Sequence, residues 1–341
     1  VKSTIESYLD HNAKEIKLFW KTGNSGVFDV GDLQDHADYI YIRTLLGDVD
    51  WLCNSAVDKY AEVISQSPIT GRIGVNNHLL PHLSAYLLGS LNLLADAGFD
   101  VRGRVLSGMQ LDLNLLIDMK TYLPKWPNKW THHTWRVSHW IGGIPSILLA
   151  FAKHGSKHQV DIELVKKVLG ACDRHLLQEK TGLMKAYKSE TLQQVFRLLY
   201  RLRHNPDHGD IGGLVHIHWI NYVIERPYIA VKSLLDISIA HMEKKPFFEK
   251  APYCLDFDYV QLIRTSLEQA QYSNDDRVKV RMAELQQDLV AFFNEIPLEG
   301  YSLHKLPGAL ATLHETCLIL DSKVPSFGSK PIDIIKKAHW L

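Results

Sequence analysis

Apolar side chains recur at three- and four-residue spacing through most of this chain. The pattern is clear over 81–96 (PHLSAYLLGSLNLLAD), 162–177 (IELVKKVLGACDRHLL), 279–293 (KVRMAELQQDLVAFF) and 307–320 (PGALATLHETCLIL). Each of these windows predicts a helix with an apolar face. Alternation with a period of two is missing, and GLVHIHW at 213–219 is the single short strand candidate. The pattern predicts an all-α protein of about twelve to fourteen helices, each about 12 to 20 residues long, joined by short loops marked with Gly, Pro and Asn.

A second pattern overlies the first. Four times, a polar segment carrying His runs into Gly or Pro and then into an apolar helix: RIGVNNHLLPHLSAYL from 72, WRVSHWIGGIPSILLAF from 135, HGDIGGLVHIHWINYV from 208 and EGYSLHKLPGALATL from 299. Proline suits the first turn of a helix, where its missing N–H has no intrahelical partner anyway, and glycine lets the backbone turn sharply into the helix. The four starts lie about 60 to 90 residues apart, room for one or two helical hairpins between them, which predicts stacked hairpins.

Repeated hairpins whose inner helices begin in this way resemble the (α/α) toroid fold. That resemblance implies one domain over residues 1–341, a closed or nearly closed ring of inner helices inside outer ones, and a cleft lined by loops at one end. It also implies a carbohydrate-active enzyme, because the architecture hosts glycoside hydrolases, sugar epimerases and polysaccharide lyases. Asn76-Asn77-His78 running into a helix is similar to the NNH segment of alginate-lyase-type toroids. Arg136, His139 and Pro145 stand where those enzymes carry a second cluster. The Arg-to-His spacing is shorter here, and Ile141 stands where a Tyr is usual. The lanthionine-cyclase family shares the architecture, but no Cys or His arrangement in this chain supplies its zinc.

Composition narrows the classes. The 38 Lys+Arg balance the 38 Asp+Glu, so no global field draws in nucleic acid, and an anionic ligand must be held by local charge. No apolar run reaches the ~18 residues of a membrane span. The chain opens on Val1, which leaves a removed leader, and with it the compartment, open. Cys53, Cys172, Cys254 and Cys317 are widely spaced and read as buried thiols. Histidine stands at 18 residues, about twice the usual share.

Candidate chemistry follows from these segments. In PKWPNKWTHHTWRVSHW, 124–140, Trp126, Trp130, Trp135 and Trp140 could stack on the C–H faces of sugar rings from a loop, while Asn, His, Lys and Arg bond the rim; a hydrophobic plug is the other reading. Asn77 and His78 at a helix start would hold a sugar carboxylate, with Arg136 assisting, and His139 or Tyr301 would move the proton. His208, Asp210 and His304 complete the expected cleft. Asp210 reads equally as a helix cap, or as the acid of a hydrolase with a second carboxylate.

No cofactor is expected. A metal would draw on His132, His133, His139, His208, Asp210, His216 and His218, yet HxH at 216–218 splays around a helix. The Asp29, Asp32, Asp35, Asp38 series suggests a Mg²⁺–diphosphate site or ordinary helix-start charge, and CLDFDYV reads as a helix start with Asp256 near the cap, one of its two aspartates being able to face the cleft. The sharpest expectation is β-elimination of a uronic-acid glycan, with an oligo- or polysaccharide as the partner. A glycoside hydrolase or sugar epimerase on the same fold is the first alternative, and a non-catalytic helical scaffold for a peptide or protein is the second.

Overall fold

The structure is a computed structural model describing residues 1–23, 30–48, 51–67, 80–109, 134–155, 160–178, 181–184, 191–192, 195, 198–199, 206–242, 247–271 and 276–341, less the side chains at 80, 134–141 and 206–210. Fourteen α-helices occur among these residues. They are α1 (Lys2–Asn12), α2 (Lys14–Thr22), α3 (Leu33–Leu45), α4 (Asn54–Gln66), α5 (Leu80–Asp96), α6 (Arg102–Gly108), α7 (Thr134–His154), α8 (Ile162–Leu176), α9 (Pro206–Val223), α10 (Val231–Met242), α11 (Cys254–Ala270), α12 (Asp276–Asn294), α13 (Leu306–Leu320) and α14 (Ile334–Ala338). Short 3₁₀ turns precede α3 and α13. The protein is all-α. The strand candidate at 213–219 lies wholly inside α9, because a run buried on every side loses the periodicity that separates helix from strand.

Two kinds of helix build the fold. In α12 only Val278, Met282, Leu285, Leu289 and Phe293 are buried, one stripe at three- and four-residue spacing. The same holds for α8, with Val165, Val168, Leu169, Cys172 and Leu176. A single stripe marks a helix with one face to solvent. By contrast, α11 buries every residue from Leu255 to Leu267, and α13 buries every residue from Leu306 to Cys317. Helices buried all round must be surrounded by other helices.

The packing agrees. α3 lies on α5, α5 on α7, α7 on α9, α9 on α11, α11 on α13, and α13 returns to α3, a closed cycle of neighbours. The one-striped helices lie against its outside: α8 on α7, α10 on α11 and α12 on α13. Close approach within the cycle needs small residues. A Cβ on Gly142 would stand 2.3 Å from His216 Cβ, and one on Gly143 2.5 Å from the Pro81 carbonyl. These glycines were expected to turn the chain into a helix; they stand inside α7, with Pro145 beyond them, and serve packing instead. Pro307 does occupy the first turn of α13.

The segment 331–341 is bonded to every member of the cycle. Tyr41 of α3 donates to the Trp340 carbonyl at 2.7 Å, and Asn92 of α5 to the Ala338 carbonyl at 3.0 Å. Lys153 of α7 meets His339 Nε2 at 3.3 Å, and Tyr222 of α9 donates to Asp333 at 2.6 Å. Arg264 of α11 donates to Asp333 at 2.9 Å, while the Ile332 N–H donates to His314 of α13 at 2.9 Å. Ile334, Ile335, Ala338 and Trp340 are essentially without exposed surface. This axial segment therefore lies among all six helices of the cycle with Ile334, Ile335 and residues 338–341 buried, while Lys336 and Lys337 are exposed.

Candidate active site

At one end of the cycle a cavity of about 270 Å³ is lined from four ring helices. The first turns of α5, α11 and α13 contribute His82 with Tyr86, Cys254 with Asp258, and Pro307 with Gly308. His216 and Trp219 come from α9, His304 and Lys305 from the 3₁₀ turn before α13, and Leu341 from the axial segment. A second cavity, of about 260 Å³, lies toward the carboxyl-terminal ends of α9 and α11, where it is lined by His218, Tyr222, Arg226, Glu268 and Lys336.

The first cavity contains a histidine held by a buried carboxyl. Asp38, on α3, has no exposed surface, and its Oδ1 accepts the Tyr86 hydroxyl at 2.5 Å and His304 Nδ1–H at 2.9 Å. Tyr86 is stacked on Tyr41 with ring centroids 4.7 Å apart. Burial and the nearby Asp38 charge push its phenol pKa far up, so it remains a donor. The His304 side chain is 48% exposed, so it can meet a ligand where Asp38 cannot. Burial alone would lower its pKa. The Asp38 hydrogen bond and charge, with help from Asp35, outweigh that effect, and the net shift is upward from 6.5. With Nδ1 committed to Asp38, Nε2 is the nitrogen available for proton transfer.

Across the wall, Asp258 is 3% exposed, and its Oδ1 has no hydrogen-bond partner among the described residues. Burial, and then the neighbouring Asp256, raise its pKa well above the carboxylate range. Asp256 is the helix-start group, accepting the N–H groups of Tyr253 and Phe248 at 3.0 Å each, bonds that oppose burial but leave its pKa raised to about 7. So one aspartate of CLDFDYV caps the helix and the other faces the cavity. His82 and His216 are held neutral: burial brings the first to about 3 and takes the second well below 6.5. His216 stacks on Trp340 at 4.6 Å, and Trp219 meets the same indole edge-on. A proton-holding carboxyl, a charge-assisted imidazole and aromatic walls together suit acid–base chemistry on a small polar ring.

Of the residues expected from sequence, His304 lines this cavity. Tyr301 does not. It is 4% exposed, its hydroxyl donates to the Pro252 carbonyl at 2.8 Å, and its ring packs on Tyr8 and Phe292. Burial pushes its pKa well above 10, so the base role gives way to a packing one. Asn77, His78, Trp126 and Trp130 lie outside the described residues. Trp135, Arg136, His139 and Trp140 stand on the first two turns of α7, and His208 and Asp210 near the start of α9; their side chains lie outside the described set. Residues 134–140 are therefore helix rather than loop, and Asp210 is the fifth residue of its helix rather than its cap. His218, two positions from His216, points to Thr265 at 2.6 Å, so this pair splays as expected of a helix.

Sequence reasoning missed Asp38, Tyr86, His82, His216 and Asp258 as a set. The signal was a polar residue inside an all-apolar helical run, as in HADYIYIR and DFDYVQLI. The aspartate series at 29–38 reads as a Mg²⁺–diphosphate site or as helix-start charge, whereas Asp38 is fully buried and bonds Tyr86 and His304. No group of three or more His, Cys, Asp or Glu among the described residues is placed to hold a metal ion. None of the helices among the described residues is long and apolar enough to cross a membrane. Comparison with protein-family models, with curated proteins and with solved structures yields no match to this chain.

Proposed function

We propose that this protein is a carbohydrate-active enzyme built as a helical toroid, and that it cleaves a uronic-acid glycan by β-elimination. The observation that carries this reading is that His304, held by Asp38, and Asp258, whose pKa burial raises, line one cavity. In the reaction, His304 Nε2 takes the proton next to the sugar carboxylate. The electron pair left behind forms a ring double bond, the C–O bond to the leaving sugar breaks, and Asp258 gives its proton to the leaving oxygen. No water is consumed, and the two groups re-equilibrate their protons through solvent. Asn77, His78 and Arg136 keep the carboxylate-binding role that the sequence assigns them, and Lys305 adds a cation to the wall. Hydrolysis by two flanking carboxylates fits less well, since Asp258 is the sole carboxyl among the described cavity residues.

The test is a panel of polyuronates and neutral glycans, followed by the ultraviolet absorbance of the unsaturated product. The expected result is unsaturated product from a polyuronate, with His304→Ala lowering kcat about 10²–10⁴-fold in a folded protein. Reducing ends released without unsaturation would replace the lyase by a hydrolase. Solvent deuterium entering the sugar without cleavage would replace it by an epimerase, which needs the same acid–base pair. Failure to act on any glycan, with a peptide or protein captured instead, would leave a binding scaffold.

A further inference from the structure

The axial segment separates the two cavities. Lys336, at its outer end, lines the cavity near the carboxyl-terminal ends of the ring helices, while Leu341 lines the one that holds His304 and Asp258. Between them Trp340 is fully buried, with its ring on His216 and its edge toward His82 and Trp219, all three of which line the candidate active site. Gly89 makes room first for the Tyr41 hydroxyl that bonds the Trp340 carbonyl, 2.1 Å from where a Cβ would sit, and then for the Ala338 carbonyl at 3.2 Å. The outer end is latched by Asp333, which takes hydrogen bonds from Tyr222 and Arg264 and also accepts the Lys336 N–H at 3.0 Å. The segment thus stands between the two cavities, with Lys336 lining one and Leu341 the other.

The geometry points to residues 331–341 as an internal stopper that sets substrate length. It makes the Trp340–Leu341 end the floor of the active-site cavity and confines that cavity to the terminal unit of a glycan. The cavity supports this. At about 270 Å³ it falls below the ~300–1,000 Å³ of pockets that enclose drug-sized ligands, which leaves space for a single sugar ring and not for a threaded chain. Cleavage would then proceed from chain ends. Substrate length is a specificity question, so this inference rests on the carbohydrate reading above. The stopper itself can be judged without any sugar.

Two measurements test it. Amide hydrogen exchange on the intact protein should show 331–341 protected as strongly as the ring helices α11 and α13. Rapid exchange of 331–341 beneath a protected ring overturns the stopper, whatever the enzyme does. Product analysis on the matching polyuronate should show the wild type releasing only the shortest products from chain ends. Leu341→Ala, and Trp340→Ala where it folds, should raise the kcat/KM ratio of trimer over dimer by about 10-fold or more. Long fragments appearing early from the wild type, or an unchanged ratio in folded Leu341→Ala, overturns the length-setting role. If no glycan is turned over at all, the carbohydrate reading fails and the length-setting role fails with it, and exchange alone then decides whether the segment is a fixed stopper.

Discussion

The proton on Asp258 is the most exposed point of the proposed chemistry, and Asp258→Asn tests it directly. The amide has the shape of the protonated carboxyl but cannot ionise. An unfolded Asp titrates near ~3.9, whereas burial keeps the folded group's pKa well above that range. Between those two values the folded chain holds one more proton than the unfolded chain. A raised carboxyl pKa contributes stability that is present below the unfolded pKa and is lost as pH rises toward the folded one. The slope is about −1.4 kcal/mol per pH unit, or about 2.7 kcal/mol over two units inside that window, against a total of roughly 5–15 kcal/mol. The assay is urea denaturation of both proteins at about pH 5, 6 and 7, followed by circular dichroism. His82, His216 and Glu315 titrate in both proteins and cancel in the difference, whereas Asp256, itself raised to about 7, acts on Asp258 and so enters the slope. The variant should gain on the wild type as pH rises above the unfolded value, by up to about 1.4 kcal/mol per pH unit until the folded group titrates. Two parallel stability curves across that range would mean that Asp258 is ionised in the native state and cannot be the acid.

Four further substitutions probe other parts of the argument. Gly142→Ala would place a methyl 2.3 Å from His216 Cβ and should lower stability by about 1–3 kcal/mol, whereas Gly103→Ala on α6, with nothing within 4 Å, should be neutral or stabilising; urea midpoints compare them. Glu315 is fully buried and accepts two hydrogen bonds from Arg264, so Glu315→Gln leaves a buried guanidinium under-paired and should cost about 3–5 kcal/mol, read from the same titrations. Asp38→Asn removes the carboxylate behind His304, whose pKa should fall; an NMR histidine titration would show this, and an unmoved midpoint would deny the dyad.

Much of the architecture is written in two sequence textures. The single stripe of KVRMAELQQDLVAFF and the near-continuous apolarity of PGALATLHETCLIL differ on the page, and they become an outer and an inner helix. Helix limits near 80, 162 and 306 follow from Pro81, the Asp161 cap and Pro307. What the pattern hides is depth. Gly142-Gly143 and Gly212-Gly213 look like loop punctuation, but a glycine placed for helix crossing has the same letter as one placed for a turn. The site was half legible for a related reason. His304 stood in a recognisable helix approach, but its partner Asp38 lies 266 positions away, and pairing across that distance leaves no local signature. Tyr301 misled because the same Gly-Tyr-Ser turn that leads to His304 carries the tyrosine inward, onto Tyr8 and Pro252.

The electrostatic character of the cavity follows from how its walls are buried. Burial takes the protons off His82 and His216, so they act as neutral hydrogen-bonding and stacking surfaces. The imidazole that has Asp38 behind it can hold one. The one carboxyl without a cation, Asp258, keeps its proton for the same reason that His82 loses its own. Lys305 at the rim is already paired with Glu249 at 2.9 Å. The cations at the cavity are thus paired, His304 with Asp38 and Lys305 with Glu249, which leaves little field to pull in a polyanion. A uronate would have to be recognised by directed hydrogen bonds on its single carboxylate. That matches a site shaped for one terminal sugar better than a charged groove that tracks a chain.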